Sequence, residues 1–353
     1  MKRGWAVVRT GQPLEAVEVA VPEPVGTEVV LRTTFCGVCH TDICFQDGYY
    51  ELGGGKRLSL ADRGLKFPFI PGHETVGKVV AVGPDARGVK IGDHRLVYPW
   101  VGCGKCRHCN SGNDQMCLQP NSLGIHRDGG FGTHVVVSRP EYLVDFGGID
   151  PALAATYACS GITAYSAVRK LSDIPCDSPV VVIGAGGVGL TAISILSAFG
   201  YEQIVAVDIS DSKLQAAREA GATGLVNSRT EDLATEIARV SALPIYGVVD
   251  FVASSDTADT GIAVLARGGT YVPVGLYGGE LALQLLMVPL RALTIRGSYS
   301  GSLSELRELV DLAKSGRLKA MPIERVPHDD PNTALDRLRA GNVAGRLVLA
   351  AGS

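Results

Sequence analysis

Val180-Val181-Val182-Ile183-Gly184-Ala185-Gly186-Gly187-Val188-Gly189-Leu190 is the stretch whose reading decides the fold. Its four leading β-branched residues suit a strand buried on both faces. Gly184, Gly186 and Gly189 then fall at G-x-G-x-x-G spacing, with Gly187 and Val188 inside the motif. In such a motif the first glycine permits a tight turn, the second lets backbone N–H groups approach a pyrophosphate, and the third lets the next helix pack on the strand. That helix is predicted over 188–199, its N-terminus offering unpaired donors and a positive dipole end to phosphates.

The next strand strengthens the motif. Gln203-Ile204-Val205-Ala206-Val207-Asp208 reads as a second strand ending in an acid. Asp208 lies about 20 residues past the glycines, where a carboxylate grips the adenosine ribose 2′-hydroxyl. It would repel a 2′-phosphate, so NAD is favoured over NADP. Two plainer readings compete: a glycine turn in a nucleotide-free sheet, and a membrane span over the uncharged residues 180–200. The glycine cluster, the strand–turn–helix pattern and the lack of a second span oppose the latter.

Outward from this centre, 179–295 alternates strand and helix. Strands are predicted at 180–183, 204–208, 223–227, 247–252 and 270–275, and helices at 213–220 and 230–240. This is the pattern of an α/β protein with a doubly wound parallel sheet. Residues 1–145 hold short β-type runs at 15–21, 27–34, 77–82, 94–98 and 133–138, punctuated by glycine and proline, which suggests an irregular β-barrel. The glycine-rich stretch 47–69 reads as a long surface loop. An amphipathic helix is predicted at 302–314, stopped by Gly316, then a turn and closing strand within 341–350.

The 353 residues suit two domains. Hydrophobic content of 46%, charged content of 20% and a net charge of −3 give no reason to expect nucleic acid or a membrane surface as partner. No apolar signal core follows Met1-Lys2-Arg3, so a cytoplasmic location is expected. Nine cysteines then require a reason other than disulfides.

Cys103, Cys106, Cys109 and Cys117 supply it, as C-x2-C-x2-C-x7-C. Four thiolates so close together make a closed, structural zinc site that staples a loop. Cys36-Gly37-Val38-Cys39 is less decided and reads equally as a redox pair or a source of metal thiolate. His73, in Pro71-Gly72-His73-Glu74, is a structural histidine or a metal ligand. Asp150-Pro151 starts a helix that carries Cys159 near its end. Among Ala154, Ala155 and Ala158, Cys159 by itself reads as a core residue.

Taken together, Gly37-Val38-Cys39-His40-Thr41-Asp42, Gly72-His73-Glu74, the four-cysteine lobe, Cys159-Ser160-Gly161-Ile162-Thr163, the glycine motif, Asp208 and Gly345-Arg346 resemble the zinc-dependent medium-chain alcohol dehydrogenases. The bacterial and archaeal tetrameric members are the most similar. The resemblance runs through essentially the whole chain, in family order. It implies a GroES-like irregular β-barrel catalytic domain over 1–152, with the zinc lobe at about 98–118. A Rossmann domain comes next over 153–295, and 296–353 return to the first domain. It implies reversible interconversion of an alcohol and its aldehyde or ketone, by zinc-alkoxide formation and direct hydride transfer to NAD. The same likeness implies two zinc ions per chain and a homotetramer.

The resemblance also assigns roles. Cys39, His73 and Cys159 become catalytic zinc ligands, Glu74 a carboxylate behind the metal, and Asp42 the acceptor for the His73 N–H. Cys36 is left as a buried structural thiol. Thr41 takes the alcohol proton and His40 sits near the pyrophosphate. Lys213 is a second ribose contact, Gly275 lies where backbone meets the nicotinamide, and Arg346 is a pyrophosphate contact that its context alone marks as a surface charge. Tyr50, Trp100 and Ile125 line the substrate pocket, which suggests an apolar alcohol, aromatic or cyclic ones included. One departure stands out: Cys44 occupies the slot where many family members carry the outer histidine of the proton relay. Alternatives are a polyol- or aldehyde-active dehydrogenase of the same fold and, outside enzymes, a zinc-lobe binding or regulatory protein on a dehydrogenase fold.

Overall fold

The computed structural model describes residues 2–62 and 64–352. The chain opens with an antiparallel hairpin, β1 (Lys2–Ala6) and β2 (Glu15–Val19). β3 (Val29–Gly37) leads into α1 (His40–Asp47), a helix absent from the sequence expectation. Its apolar periodicity is weak, but Asp42 caps it from within, accepting the Cys39 N–H at 2.9 Å. The stretch 47–69 is not a plain loop either. It contains the hairpin β4 (Tyr49–Gly53) and β5 (Lys56–Ser59), closed by glycines that hid its alternation.

β6 (Glu74–Val82), β7 (His94–Val97), α2 (Arg107–Asn110), β8 (His134–Val137) and β9 (Leu143–Val144) complete this part. β3 is the axis of its sheet. Val29–Arg32 pairs with β8, Phe35–Gly37 pairs with a strand from the C-terminal end of the chain, and β6 runs along the other side. Register shifts between β3 and β6 mark the point where β3 changes neighbours, and they bend the sheet towards closure.

A single helical run then crosses to the second half: α3 (Pro151–Thr156), a π-helical turn over Tyr157–Gly161, and α4 (Ile162–Arg169). Asp150 caps it, accepting from the N–H groups of Ala152 and Leu153. Cys159 therefore lies mid-run rather than near a helix end, because the wide turn lets helix continue past it.

The parallel sheet comprises β10 (Val180–Ile183), β11 (Ile204–Asp208), β12 (Gly224–Asn227), β13 (Ile245–Asp250), β14 (Leu265–Pro273) and β15 (Thr294–Ile295). Their spatial order, β12-β11-β10-β13-β14-β15, places the topological switch between β10 and β13. The helices α5 (Gly187–Ala198), α6 (Asp211–Ala220), α7 (Leu233–Ser241), α8 (Ser255–Val264) and α9 (Met287–Arg291) connect them. The uncharged run 180–200 is thus a buried strand and a 12-residue helix. No helix among the described residues is long and apolar enough to cross a membrane.

After α10 (Leu303–Lys314) the chain returns to the first sheet with β16 (Ile323–Pro327), α11 (Pro331–Arg339) and β17 (Arg346–Ala350). One large core joins the two halves. It runs from Leu31, Val76 and Trp100 through Cys159 and Ile162 to Val180, Leu190 and Val249.

Candidate metal and cofactor site

The turn after β10 has the geometry its glycines predict. Gly184 has φ of 90°, and a Cβ on Gly189 would overlap the Gly184 carbonyl oxygen. α5 can start close to the strand only because both lack side chains. Asp208, at the C-terminal end of β11, accepts the Ala185 N–H at 2.8 Å and the Ser210 N–H at 3.0 Å. Its carboxylate is therefore held against the glycine turn. Lys213 is half-buried in the first turns of α6. On the other side of β10, Gly275 comes just after β14 and donates its N–H to the Asp250 carbonyl at 3.0 Å.

Three segments converge beside this edge. Cys39 comes from the β3–α1 junction, His73 from the residue before β6, and Cys159 from the π-turn. Their ligand atoms all lie within 4.8 Å of one another, and all three residues are buried. The two sulfurs are 4.0 Å apart. His73 Nδ1 faces Asp42 Oδ1 at 3.4 Å, and both ring nitrogens are buried without a hydrogen bond. An orphaned imidazole nitrogen beside two thiols is the donor set of a tetrahedral zinc site with one position open. Charge argues the same way. The contact with Cys159, helped by His73, pulls the Cys39 thiol well below its usual range. That contact and burial push the Cys159 thiol up. The two thiols lie too close to ionise independently, and a divalent cation would stabilise both as thiolates. Burial works against an imidazolium at His73, but Asp42 and Cys39 outweigh it and raise its pKa.

The π-turn sets the site's second layer. Ile162 donates five residues back to the Tyr157 carbonyl. Ser160 N–H donates to Glu74 Oε1 at 3.1 Å, and the Ala158 carbonyl accepts the Trp100 indole N–H at 3.1 Å. Glu74 is fully buried, and burial raises its carboxyl to about 7 against the lowering effect of Arg346. Arg346 is not the surface charge its sequence context suggests. It is 7% exposed, and its Nη2 donates to Glu74 Oε2 at 2.5 Å and to the Val38 carbonyl at 2.9 Å. Long-range packing of β17 against β3 brings it inside, and no local pattern could reveal that.

Around the cluster, Thr41 Oγ1 lies 3.6 Å from Cys39 Sγ. His40 is exposed and stacks on Tyr277 at 6.2 Å. His73 sits between Trp100 at 5.7 Å and Phe45 at 6.4 Å. Ile125 is partly buried between two cores, whereas Tyr50 packs with the cluster around Ile43, Phe45 and Leu60. Sequence reasoning missed Tyr299, whose ring meets Trp100 edge-on at 5.9 Å, and Tyr277. Both sit in irregular segments with no motif to mark them. Cys36 is fully buried against Thr75. Cys44 is buried too, and desolvation, then Cys39 and nearby carboxylates, pushes its thiol up to about 12.

The four lobe cysteines also lie within 4.8 Å of one another, with Cys106 Sγ 3.5 Å from Cys109 Sγ and 3.8 Å from Cys117 Sγ. A tetrahedron with metal–sulfur bonds of about 2.3 Å has edges of about 3.8 Å, so the set fits zinc. The N–H groups of Cys103 and Gln119 point at Cys117 Sγ, at 3.2 and 3.3 Å, as they would towards a thiolate.

Comparison with known proteins identifies the family. Residues 26–146 match the alcohol dehydrogenase GroES-like domain and residues 187–315 match the zinc-binding dehydrogenase family. An NAD-dependent alcohol dehydrogenase of Sulfurisphaera tokodaii is 34% identical over 348 residues, covering 98% of this chain and 99% of the relative. One from Saccharolobus solfataricus is also 34% identical, with the same coverage. The crystal structure of the alcohol dehydrogenase from Aeropyrum pernix superposes with a TM-score of 0.89 at 29% identity, covering 99% of both chains. The chain belongs to the zinc-dependent medium-chain alcohol dehydrogenase family, as an NAD-dependent oxidoreductase acting on alcohols.

Proposed function

We propose that Cys39, His73 and Cys159 hold the catalytic zinc, that the four lobe cysteines hold a structural one, and that the alcohol binds beside the Trp100–Tyr299 ring pair. The observation that carries this is the convergence of two buried thiols and an orphaned imidazole nitrogen beside the C-terminal edge of the parallel sheet. When bound, zinc supplies Lewis acidity to the alcohol oxygen and NAD supplies the hydride acceptor.

The chain's own residues do the rest. Asp42 orients the His73 ring through Nδ1, which leaves Nε2 for the metal. Glu74 lies behind the cluster, held by Ser160 and Arg346. Thr41 is placed to accept the alcohol proton. Asp208 and Lys213 take the adenosine ribose, and residues 184–189 and His40 the pyrophosphate. The Nη2 of Arg346 is committed to Glu74, so any phosphate contact falls to its other nitrogens; its Nε is buried without a partner. Gly275 lies on the nicotinamide side of the switch point. In domain terms, 1–152 and 296–353 form the catalytic part and 153–295 the cofactor part.

The substrate is an apolar alcohol or carbonyl compound, because Trp100, Tyr299, Tyr50 and Ile125 supply ring and aliphatic walls. The assembly is a homo-oligomer, tetrameric by family likeness. β15 is an open sheet edge, and Leu285, Leu286 and Leu290 beside it are 82%, 70% and 54% exposed, which suits a second copy related by two-fold symmetry. Two clusters of unbridged cysteines suit a reducing compartment such as the cytoplasm.

A substrate panel of linear, cyclic, aromatic and polyhydroxy alcohols, run with NAD and with NADP, tests the reading. Highest kcat/KM for an aromatic or cyclic alcohol with NAD supports it. Preference for a polyol would overturn the pocket assignment.

A further inference from the structure

Asp250 takes no part in holding metal or ribose, yet it is fully buried at the C-terminal end of β13. It stands in register with Ile183, the residue before the glycine turn. Its carboxylate gathers three donors. Oδ1 accepts the N–H groups of Val252 and Ala253, both at 2.8 Å, and Oδ2 accepts the Tyr271 hydroxyl at 2.8 Å. Its carbonyl accepts two more, from Val274 at 2.9 Å and Gly275 at 3.0 Å. One residue therefore ties the chain leaving β13 to the chain leaving β14.

Both connections are tight. Ala253 has φ of 55°, a left-handed conformation that an alanine adopts only when held there. A Cβ on Gly275 would overlap the Val252 carbonyl oxygen. That same oxygen accepts the Tyr277 N–H at 3.3 Å, and Tyr277 stacks on His40 beside the zinc ligand Cys39. The two segments lie across the switch point from Asp208. A dinucleotide anchored by its adenosine ribose at Asp208 would extend towards them with its other half.

We propose that Asp250, with Tyr271, is a positioning residue that braces the nicotinamide half of the cofactor cleft. It touches neither substrate nor cofactor. It holds the Val252–Ala253 turn and the Val274–Gly275 backbone at the spacing that receives the ring. Tyr271 is fully buried, and burial, then Asp250, raises its phenol far above the usual range, so it stays a donor. The proposal rests on the cofactor placement given under Proposed function.

The test uses the full-length protein and two ligands, NADH and ADP-ribose, which lacks the nicotinamide. Asp250→Ala leaves buried donors without an acceptor and should raise the NADH Kd about tenfold, with ADP-ribose within about twofold of the native value. Tyr271→Phe should move NADH alone, by about threefold, and keeps the test open if the first variant does not fold. Asp250→Asn should recover most of the NADH affinity, since its amide oxygen still accepts from the turn and its NH2 can donate to Tyr271. In each weakened variant kcat should fall while KM for the alcohol holds. Equal loss of both ligands would make Asp250 merely structural, and unchanged NADH affinity in the Asp250→Ala and Tyr271→Phe proteins would remove any role; either overturns the proposal. Asp208→Ser is the marker for the cofactor site itself and should weaken both ligands alike. If it weakens neither, the cofactor placement fails, and the proposal with it.

Discussion

Cys103, Cys106, Cys109 and Cys117 occupy fifteen consecutive residues of a lobe with little apolar interior, where Met116 and Leu118 stand 45% and 84% exposed. Cys39, His73 and Cys159 come from segments as far as 120 residues apart and are buried in the main core. The first set is closed by its own spacing, and its metal must supply the order that burial does not. The second is brought together by packing of distant segments, and a set of three donors would leave a fourth position for chemistry. Metal should therefore matter to the stability of one region and to the reactivity of the other.

The sharpest way to break that contrast is His73→Ala. Activity should fall by about 10³-fold or more, because the Lewis acid is lost. Metal analysis should show one zinc per chain instead of two, with NADH still bound. Full activity with one zinc or none would end the distinction.

Cys109→Ser should do the reverse. The lobe zinc should be lost and Tm should drop by on the order of 5 °C, read by calorimetry, while turnover at low temperature changes far less. A Tm equal to that of the native protein would mean that packing, not metal, holds the lobe.

Asp208→Ser should touch neither cluster. Zinc content should stay at two, kcat/KM with NAD should fall about tenfold, and NADP should become usable as a charge repulsion disappears. Equal use of NAD and NADP by the unmodified enzyme would contradict the ribose assignment.

The smallest expected effect lies at Cys44. With its thiol raised to about 12, it stays neutral throughout the working pH range and cannot relay a proton. On the proposed role of Thr41, the proton would then pass to solvent without help from Cys44. Single-turnover oxidation below neutrality should be accelerated by small buffer bases, by a few-fold. Cys44→His should reduce that dependence, while Cys44→Ser should keep it. Buffer-independent rates in all three proteins would show that the proton has another efficient exit.

Legibility in the sequence divides along the same line. The four-cysteine lobe and the glycine turn could be read from spacing, because their geometry is closed within a few consecutive residues. The proposed catalytic ligands could not. Cys39 reads equally as a redox thiol, Cys159 as core among alanines, and His73 as a packing residue until family likeness joins them. Tyr299, Tyr277 and Asp250 carried no signal, since each matters only through what it meets.

By itself, then, the sequence determined the parallel sheet and its glycine turn, the closed zinc lobe and the family. Backbone period, glycine placement and ligand spacing are short-range properties. Only the tertiary structure decided that β3 would be shared between β8 and β17, and so that Arg346 would be drawn inside against Glu74. It alone placed Cys159 in a π-turn, which leaves Ser160 N–H for Glu74 and the Ala158 carbonyl for Trp100. Those outcomes depend on which distant surfaces bury one another, and a buried polar group finds its partner only after that packing is complete.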